Sequence, residues 1–245
     1  MSTQLLSGKS ALVTGGARRI GRALALALGA AGADVAITYR TSDSEAAQTA
    51  GEIEALGRQA LALECDVRSE TSVRRAVEAT LAKFRRLDVL VNNAAIFETV
   101  PLESITLDQW DAVFQTNTRG PFLVAREALP HLRATNGRII NIGSLGGIQP
   151  WANHAHYCSS KAALHMLTAT MAKAFAPQVS VNCVAPGWIE LDQSLGKAAA
   201  RFAAKTPMQR NGTAEDVAQA VLFFATSPAF ITGQVMAVDG GLGLT

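Results

Sequence analysis

The sequence predicts one doubly wound α/β domain built on a mostly parallel sheet. Three observations predict it. Short apolar, β-branched-rich runs alternate along the chain with longer Ala/Leu-rich stretches of helical period. The short runs are near-continuously apolar, as befits strands covered on both faces of a parallel sheet. The chain has 245 residues, enough for one large core, and no repeat, low-complexity tract or Pro/Ser-rich linker divides it.

The elements follow in order. ALVT at 11–14 is the first strand, and the helical pattern of 20–31 follows a glycine-rich turn. VAITY at 35–39 leads to a helix at 44–56, and ALALE at 60–64 to a helix at 71–84. VLV at 89–91 is the fourth strand, followed by one long apolar helix at 107–132. RIINI at 138–142 precedes a helix at 156–175, and SVNCV at 180–184 is the sixth strand. The irregular stretch 186–210 reads as a flap over a ligand site, with one short helix at 194–204. A helix at 214–226 and a strand at 235–238 complete the pattern.

Composition narrows the function classes. Apolar residues make up 49% and charged residues 17%, which excludes a disordered chain. A net charge of +2 gives no electrostatic case for nucleic acid or an anionic membrane as partner. No apolar stretch is long enough to span a bilayer, and the N-terminus lacks a secretory pattern. The three cysteines, Cys65, Cys158 and Cys183, show no metal-like spacing and are expected as reduced thiols in the cytoplasm.

The segment TGGARRIG, residues 14–21, joins the first strand to the first helix. Gly15 and Gly21 flank a tight turn, Ile20 opens the helical pattern, and amides at a helix N-terminus favour phosphate. A dinucleotide fingerprint spaced G-x-x-x-G-x-G has glycine where Arg19 stands beside Arg18. The second strand ends in Tyr39, Arg40, Thr41 and Ser42, where NAD binders carry an acid for the ribose. Arg40 and Ser42 suit a 2′-phosphate instead, so the pair of loops favours NADP over NAD.

Four later features share one chemistry. Asn92–Ala95 reads NNAA, Asn117 lies in the long helix, Ser144 follows the fifth strand, and Tyr157 and Lys161 stand four residues apart on one helical face. An ammonium beside a phenol lowers its pKa and makes tyrosine a usable acid. The Ser144 hydroxyl, at the sheet edge, suits a hydrogen bond to a carbonyl oxygen as charge develops there.

The set resembles the short-chain dehydrogenase/reductase family over essentially the whole chain. Its pieces stand in order: the TG-rich loop, CDV at 65–67, NNAA, Asn117, Ser144 thirteen residues before Tyr157, Lys161, PGWI at 186–189 and GQVMAVDGG at 233–241. The resemblance implies a single Rossmann domain over 1–245 with a seven-stranded parallel sheet, and a homotetramer or homodimer. It implies NADPH/NADP+ as cofactor and a small-molecule carbonyl or imine as substrate. Tyr157 is then the proton donor and Ser144 polarises the carbonyl. Lys161 lowers the tyrosine pKa and binds the nicotinamide ribose, and Asn117 holds a water for reprotonation. Asp66 and Val67 contact adenine, Asn93, Ala94 and Ala95 line the cofactor, and Pro186, Gly187 and Ile189 cover the nicotinamide. Leu191 departs from the family pattern, which often has threonine there.

RRIG with YRTS is most reminiscent of the pteridine reductase branch, whereas PGWIELD and GQVMAVDGGL resemble 3-oxoacyl-[acyl-carrier-protein] reductases. Phe97, Trp151, Trp188 and Met208 are candidates for an apolar substrate wall, and Trp110 for helix packing. His154 and His156 precede the tyrosine within expected reach of the pocket. A reading from another class, an NADP(H)-sensing protein without catalysis, has no use for the full set Asn117, Ser144, Tyr157 and Lys161.

Overall fold

The computed structural model describes residues 4–191 and 197–244. Its strands are β1 (Ser10–Val13), β2 (Asp34–Tyr39), β3 (Ala60–Glu64), β4 (Val89–Asn92), β5 (Arg138–Ile142), β6 (Ser180–Pro186) and β7 (Val235–Val238). All pair in parallel, in the order β3-β2-β1-β4-β5-β6-β7. The helices are α1 (Arg19–Ala30), α2 (Asp43–Ala55), α3 (Glu70–Phe84), α4 (Leu107–Phe114), α5 (Gly120–Thr135), α6 (Ala155–Phe175), α7 (Lys197–Lys205) and α8 (Ala214–Thr226).

The continuous apolar runs follow from two-sided burial. Ala11 and Val13 of β1 join a core with Leu24 and Leu28 of α1, Ile53 of α2 and Phe224 of α8. Leu12 between them faces the opposite core, with Val77 of α3, Ala128 of α5 and Met171 of α6. Each strand therefore needs apolar residues at both parities. None of the described helices is long and apolar enough to cross a membrane.

The helix expected at 107–132 follows one helical path, but Gln115–Arg119 winds as a π-helical turn between α4 and α5. The extra residue places Asn117 in the fully buried interior, a use to which such bulges are often put. Pro121 has no N–H to close the ordinary helical bond onto the Asn117 carbonyl. The periodicity of the apolar residues carries no sign of the insertion. The short flap helix runs Lys197–Lys205, and the start expected for it at 194–196 lies outside the described residues.

Glycine positions separate space from conformation. A Cβ at Gly21 would lie 2.0 Å from the Gly15 carbonyl oxygen, whereas one at Gly51 in α2 meets nothing within 4 Å. The same substitution is therefore expected to have opposite signs. Gly21→Ala should cost about 2–4 kcal/mol by forcing backbone apart, and Gly51→Ala should gain about 0.5–1 kcal/mol from helix propensity. Urea unfolding of both variants checks this, and equal changes would contradict it.

Candidate active site

In a doubly wound sheet, ligands bind beyond the carboxyl ends of the strands where the strand order reverses. Here β1 and β4 are neighbours at that reversal, and a cleft of about 1180 Å³ opens above them. It is lined by the glycine-rich loop, the end of β2, Asp66–Val67, Asn93–Phe97, Ser144, Tyr157, Lys161 and the flap.

The two loops at the reversal are lashed together. The Thr14 Oγ1 accepts the backbone N–H groups of Asn93 at 2.9 Å and Ala94 at 3.1 Å. The Asn93 amide donates back to the carbonyls of Thr14 and Gly15, both at 3.0 Å. Asn93 thus braces the loop with its side chain while it lines the cleft. Gly15 has φ +63°, and a Cβ there would sit 3.0 Å from the Ala94 Cα, so a bare backbone forms the cradle. Arg19 stands in the left-handed region at φ +52°, the conformation for which a glycine is expected. Arg18 caps α1 with no side-chain hydrogen bond and no acid in the first turn, so nothing from the helix itself covers its first amides.

The arginines divide by partner. Arg22 pairs with Glu52 at 2.5 Å, away from the cleft, and Arg18 lies 4.0 Å from Glu45. Arg40 is exposed at the end of β2 and makes no ion pair among the described residues. Tyr39, Arg40 and Ser42 line the cleft together with Arg18, Arg19 and Ile20. Asp66 also lines it, but Arg68 grips both its carboxylate oxygens, at 2.9 and 2.6 Å. That guanidinium holds the Asp66 carboxyl below its usual range. Arg68, immediately after the CDV block, gave no motif signal.

At the other end, Ser144 follows β5, and α6 carries Tyr157 and Lys161 on the face toward it. Burial pushes the Tyr157 phenol up to about 12, with the Ser144 hydroxyl pulling against it. The Lys161 ammonium lies 5.8 Å from the Tyr157 ring centroid and donates to the Ile142 carbonyl at 2.7 Å. Fully buried, it is itself drawn down to about 8. The sequence predicts that this lysine lowers the tyrosine pKa; in the structure the opposing influences on the phenol are burial, which raises it, and the Ser144 hydroxyl, which lowers it. Asn117 Oδ1 accepts the Ile96 N–H at 2.8 Å, and its Nδ2 donates to the Ile96 carbonyl and to Ser160 Oγ. Its side chain is therefore committed to holding the Ile96 backbone.

The apolar wall differs from the expected one in a single member. Phe97, Trp151 and Trp188 line the cleft, but Met208 is 66% exposed outside it, its N–H bonded to the Gly240 carbonyl. Phe202 takes its place, stacked on Trp188 at 4.1 Å, a contact available only once the flap folds back. Trp110 stacks on Phe114 within α4, as helix packing. Leu191 lines the cleft at the flap's edge, half exposed. His154 also lines it, its Nδ1 2.9 Å from the Glu98 carbonyl oxygen, whereas His156 is fully buried outside it.

His165, one turn beyond Lys161, is a residue that pattern reading missed. Its Nε2 accepts the Ser144 N–H at 3.4 Å. A Cβ at Gly143 would meet that nitrogen at 2.3 Å, and one at Gly147 would meet Cε1 at 2.6 Å. Both flanking glycines thus make room for the imidazole under the serine loop. Burial first, then the nearby Lys161 ammonium, pulls His165 down to about 4 from 6.5. The unfolded chain therefore binds the extra proton between these values, and stability falls as pH drops from 6.5 to 4. His165→Leu should show a shallower fall in Tm across that window, whatever its absolute Tm. Parallel curves by thermal denaturation would contradict it.

The comparisons with known proteins bear on the fold and the family. The family profile described as Enoyl-(Acyl carrier protein) reductase matches residues 15–243. A 3-oxoacyl-[acyl-carrier-protein] reductase of Synechocystis sp. is 40% identical over 241 residues, covering 97% of this chain and 98% of the relative. A short chain dehydrogenase from Burkholderia cenocepacia, solved in complex with NADP, is 41% identical with a TM-score of 0.90, covering 97% and 98% of the two chains. A blue fluorescent protein from a metagenomic library, solved with NADPH, is 37% identical with a TM-score of 0.91 over 97% and 98%. The parallel sheet, the ordered blocks along it and these relatives together place the chain in the short-chain dehydrogenase/reductase family of oxidoreductases.

Proposed function

We propose that the chain is an NADPH-dependent reductase of a carbonyl or imine group, with Tyr157 as proton donor. One observation carries this reading: Ser144, Tyr157 and Lys161 meet at the inner end of a cleft whose outer end is a glycine cradle edged by arginines. The cradle fits a dinucleotide, since Gly15 and Gly21 leave backbone where a Cβ would fill the space. Gly15, Arg18, Arg19, Ile20 and Gly21 would hold the diphosphate side, and Tyr39, Arg40 and Ser42 the 2′-phosphate. Val67 and Asp66 would border the adenine, Asn93, Ala94 and Ala95 the middle, and Pro186, Gly187 and Ile189 the nicotinamide. The solved relatives that hold NADP and NADPH support this choice.

When bound, the reduced nicotinamide supplies the hydride. The chain's own residues manage the oxygen. Tyr157 carries its proton at neutral pH, as a phenol ordinarily does and as burial reinforces, so it has a proton to give as negative charge develops on the substrate. Ser144 Oγ accepts the Gly146 N–H at 3.0 Å, and its own hydrogen, which serves the Tyr157 phenol, can turn to the same substrate oxygen. Lys161, buried beside them, offers its remaining N–H groups to the ribose and stabilises the tyrosinate left behind. The Asn117 side chain is committed to Ile96, so a relay water would be held by its carbonyl, which lacks the donor that Pro121 cannot provide.

Assembly as a homotetramer or homodimer is supported by a surface groove where Phe114, Phe122 and Leu167 of α4, α5 and α6 lie among Asp111, Gln115, Thr118 and Arg119. A reducing, cytoplasmic setting is supported by three free cysteines.

Tyr157→Phe should lower kcat about a thousandfold with NADPH affinity within about threefold. Stopped-flow or steady-state NADPH oxidation with a reducible ketone checks it, and near-normal turnover would overturn the assignment. Arg40→Ala should weaken NADPH about tenfold and NADH little, by loss of one charged contact. Titration of both cofactors by fluorescence decides this, and equal losses would mean that the arginine does not read the 2′-phosphate.

A further inference from the structure

The proton donor sits among rings. Phe97 meets Tyr157 edge-on at 4.8 Å and stacks on His154 at 4.8 Å, and Trp151 lies nearly parallel to Tyr157 at 6.3 Å. On the flap, Trp188 and Phe202 are stacked within 12° of parallel. All five line the same cleft, and Phe97 and Trp188 are 55% and 37% exposed. Large aromatic faces left open to water beside the reacting groups are surface that a bound molecule would cover. Flat faces stack best on flat partners, and a linear acyl chain offers none.

The flap adds charge. Across 186–210 the sequence holds Lys197, Arg201, Lys205 and Arg210 against Glu190 and Asp192. Arg210 is held by Asp216 at 2.6 Å. Arg201 and Lys205, one turn apart on α7, line the cleft, are exposed, and make no ion pair among the described residues. Glu190, at the base of the flap, is the one described carboxylate lining this half of the cleft. Two cations against one acid at the mouth of an aromatic slot favour an anionic group carried outward from a planar ring.

Resting on the reductase reading, we infer that the substrate is an aryl or fused-ring ketone bearing an anionic group such as a carboxylate. The ring lies between Phe97–Trp151 and Trp188–Phe202, the carbonyl faces Ser144 and Tyr157, and the anion faces Arg201 and Lys205. Neither the stacking pair nor the two flap cations belong to the residues that manage the proton.

The test uses two matched pairs of ketones, 6-acetyl-2-naphthoate against 2-acetonaphthone and 4-acetylbenzoate against 4-methylacetophenone, with a 3-oxooctanoyl thioester as the linear competitor. Binding in the presence of NADP+ is read from tryptophan quenching, and turnover from NADPH oxidation. The anionic member of each pair should have about tenfold lower Kd and KM, from one or two charge-assisted contacts. Arg201→Ala/Lys205→Ala should collapse that preference to about unity, with the effect in KM. Equal binding of neutral and anionic ketones would overturn the inference, as would a thioester bound more tightly than either. A tenfold loss of NADPH affinity in the double variant would also overturn it, by placing the two cations on the cofactor. Selective binding of the anionic ketones with no turnover of any ketone would sustain the ligand class and overturn the reductase reading instead.

Discussion

The site depends on the clasp between the loops that follow β1 and β4. A parallel sheet brings all its carboxyl ends to one edge, but it leaves a seam where the strand order reverses. Four hydrogen bonds of 2.9–3.1 Å between Thr14 or Gly15 and Asn93 or Ala94 close that seam. They also fix the height of the glycine cradle relative to the segment Ala95–Phe97, which leads on to the tyrosine. Asn117 extends the brace by taking both backbone groups of Ile96. These contacts, each a side chain bonded to backbone, run from the phosphate cradle to Ile96, and Asn117 Nδ2 on Ser160 Oγ, which donates to the Tyr157 carbonyl, carries the brace on to the helix of the proton donor. Such contacts hold loop geometry more firmly than exposed ion pairs do.

Burial shapes the chemistry at the inner end. The same loss of water raises the Tyr157 phenol and lowers the Lys161 ammonium and the His165 imidazole. Each shift favours the neutral form, so the site stores an acid with its proton in place. An isolated buried ammonium is costly, and Lys161 offsets part of that by donating to the Ile142 carbonyl at the end of β5. The lysine is therefore placed by the strand as much as by its own helix. His165, neutral, can accept the Ser144 N–H from below, which a protonated imidazole could not do.

The architecture was legible because burial on both faces writes itself into the sequence as uninterrupted apolar runs. Strands such as β3, β5 and β7 start and stop at the residues where those runs do. Placement of the chemical groups was legible through spacing, with Tyr157 and Lys161 one helical turn apart and Ser144 at the end of a strand. What was not legible depends on tertiary contact. The π-helical turn at Gln115–Arg119 leaves apolar periodicity intact, so a 26-residue helix reads as regular from the sequence. Phe202 reaches the cleft, and Met208 does not, because the flap folds back on Trp188, a contact between distant segments. His165 sits at an ordinary helix position, and only the two glycines opposite it betray the imidazole's bulk. Desolvation, the largest influence on the Tyr157 phenol at this depth, is likewise a property of the folded site that a spacing of four residues does not express.

Arg19 joins these threads. Glycine reaches φ +52° freely, whereas an arginine held there is disfavoured by roughly 1–2 kcal/mol. A turn selected for shape alone would carry glycine at that point, as Gly15 does four residues earlier at φ +63°. The conformational cost is sustained in a loop whose neighbours over-determine it: Gly16 is packed against Ile37, Thr49 holds the Ala17 carbonyl at 2.9 Å, and Gly21 abuts the Gly15 carbonyl. Strain of this kind persists where a rigid surround maintains it and a side chain has use at that spot. The arginine stands beside Arg18 in the lining of the cleft that Arg40 also lines, which concentrates positive charge around the glycine cradle. The other cationic pair, Arg201 and Lys205, lines the same cleft from the flap, which also carries the stacked Trp188 and Phe202. A phosphorylated dinucleotide would meet the first group at the glycine cradle and an anionic ring ketone the second at the flap, with the buried Lys161 ammonium beside the reacting atoms.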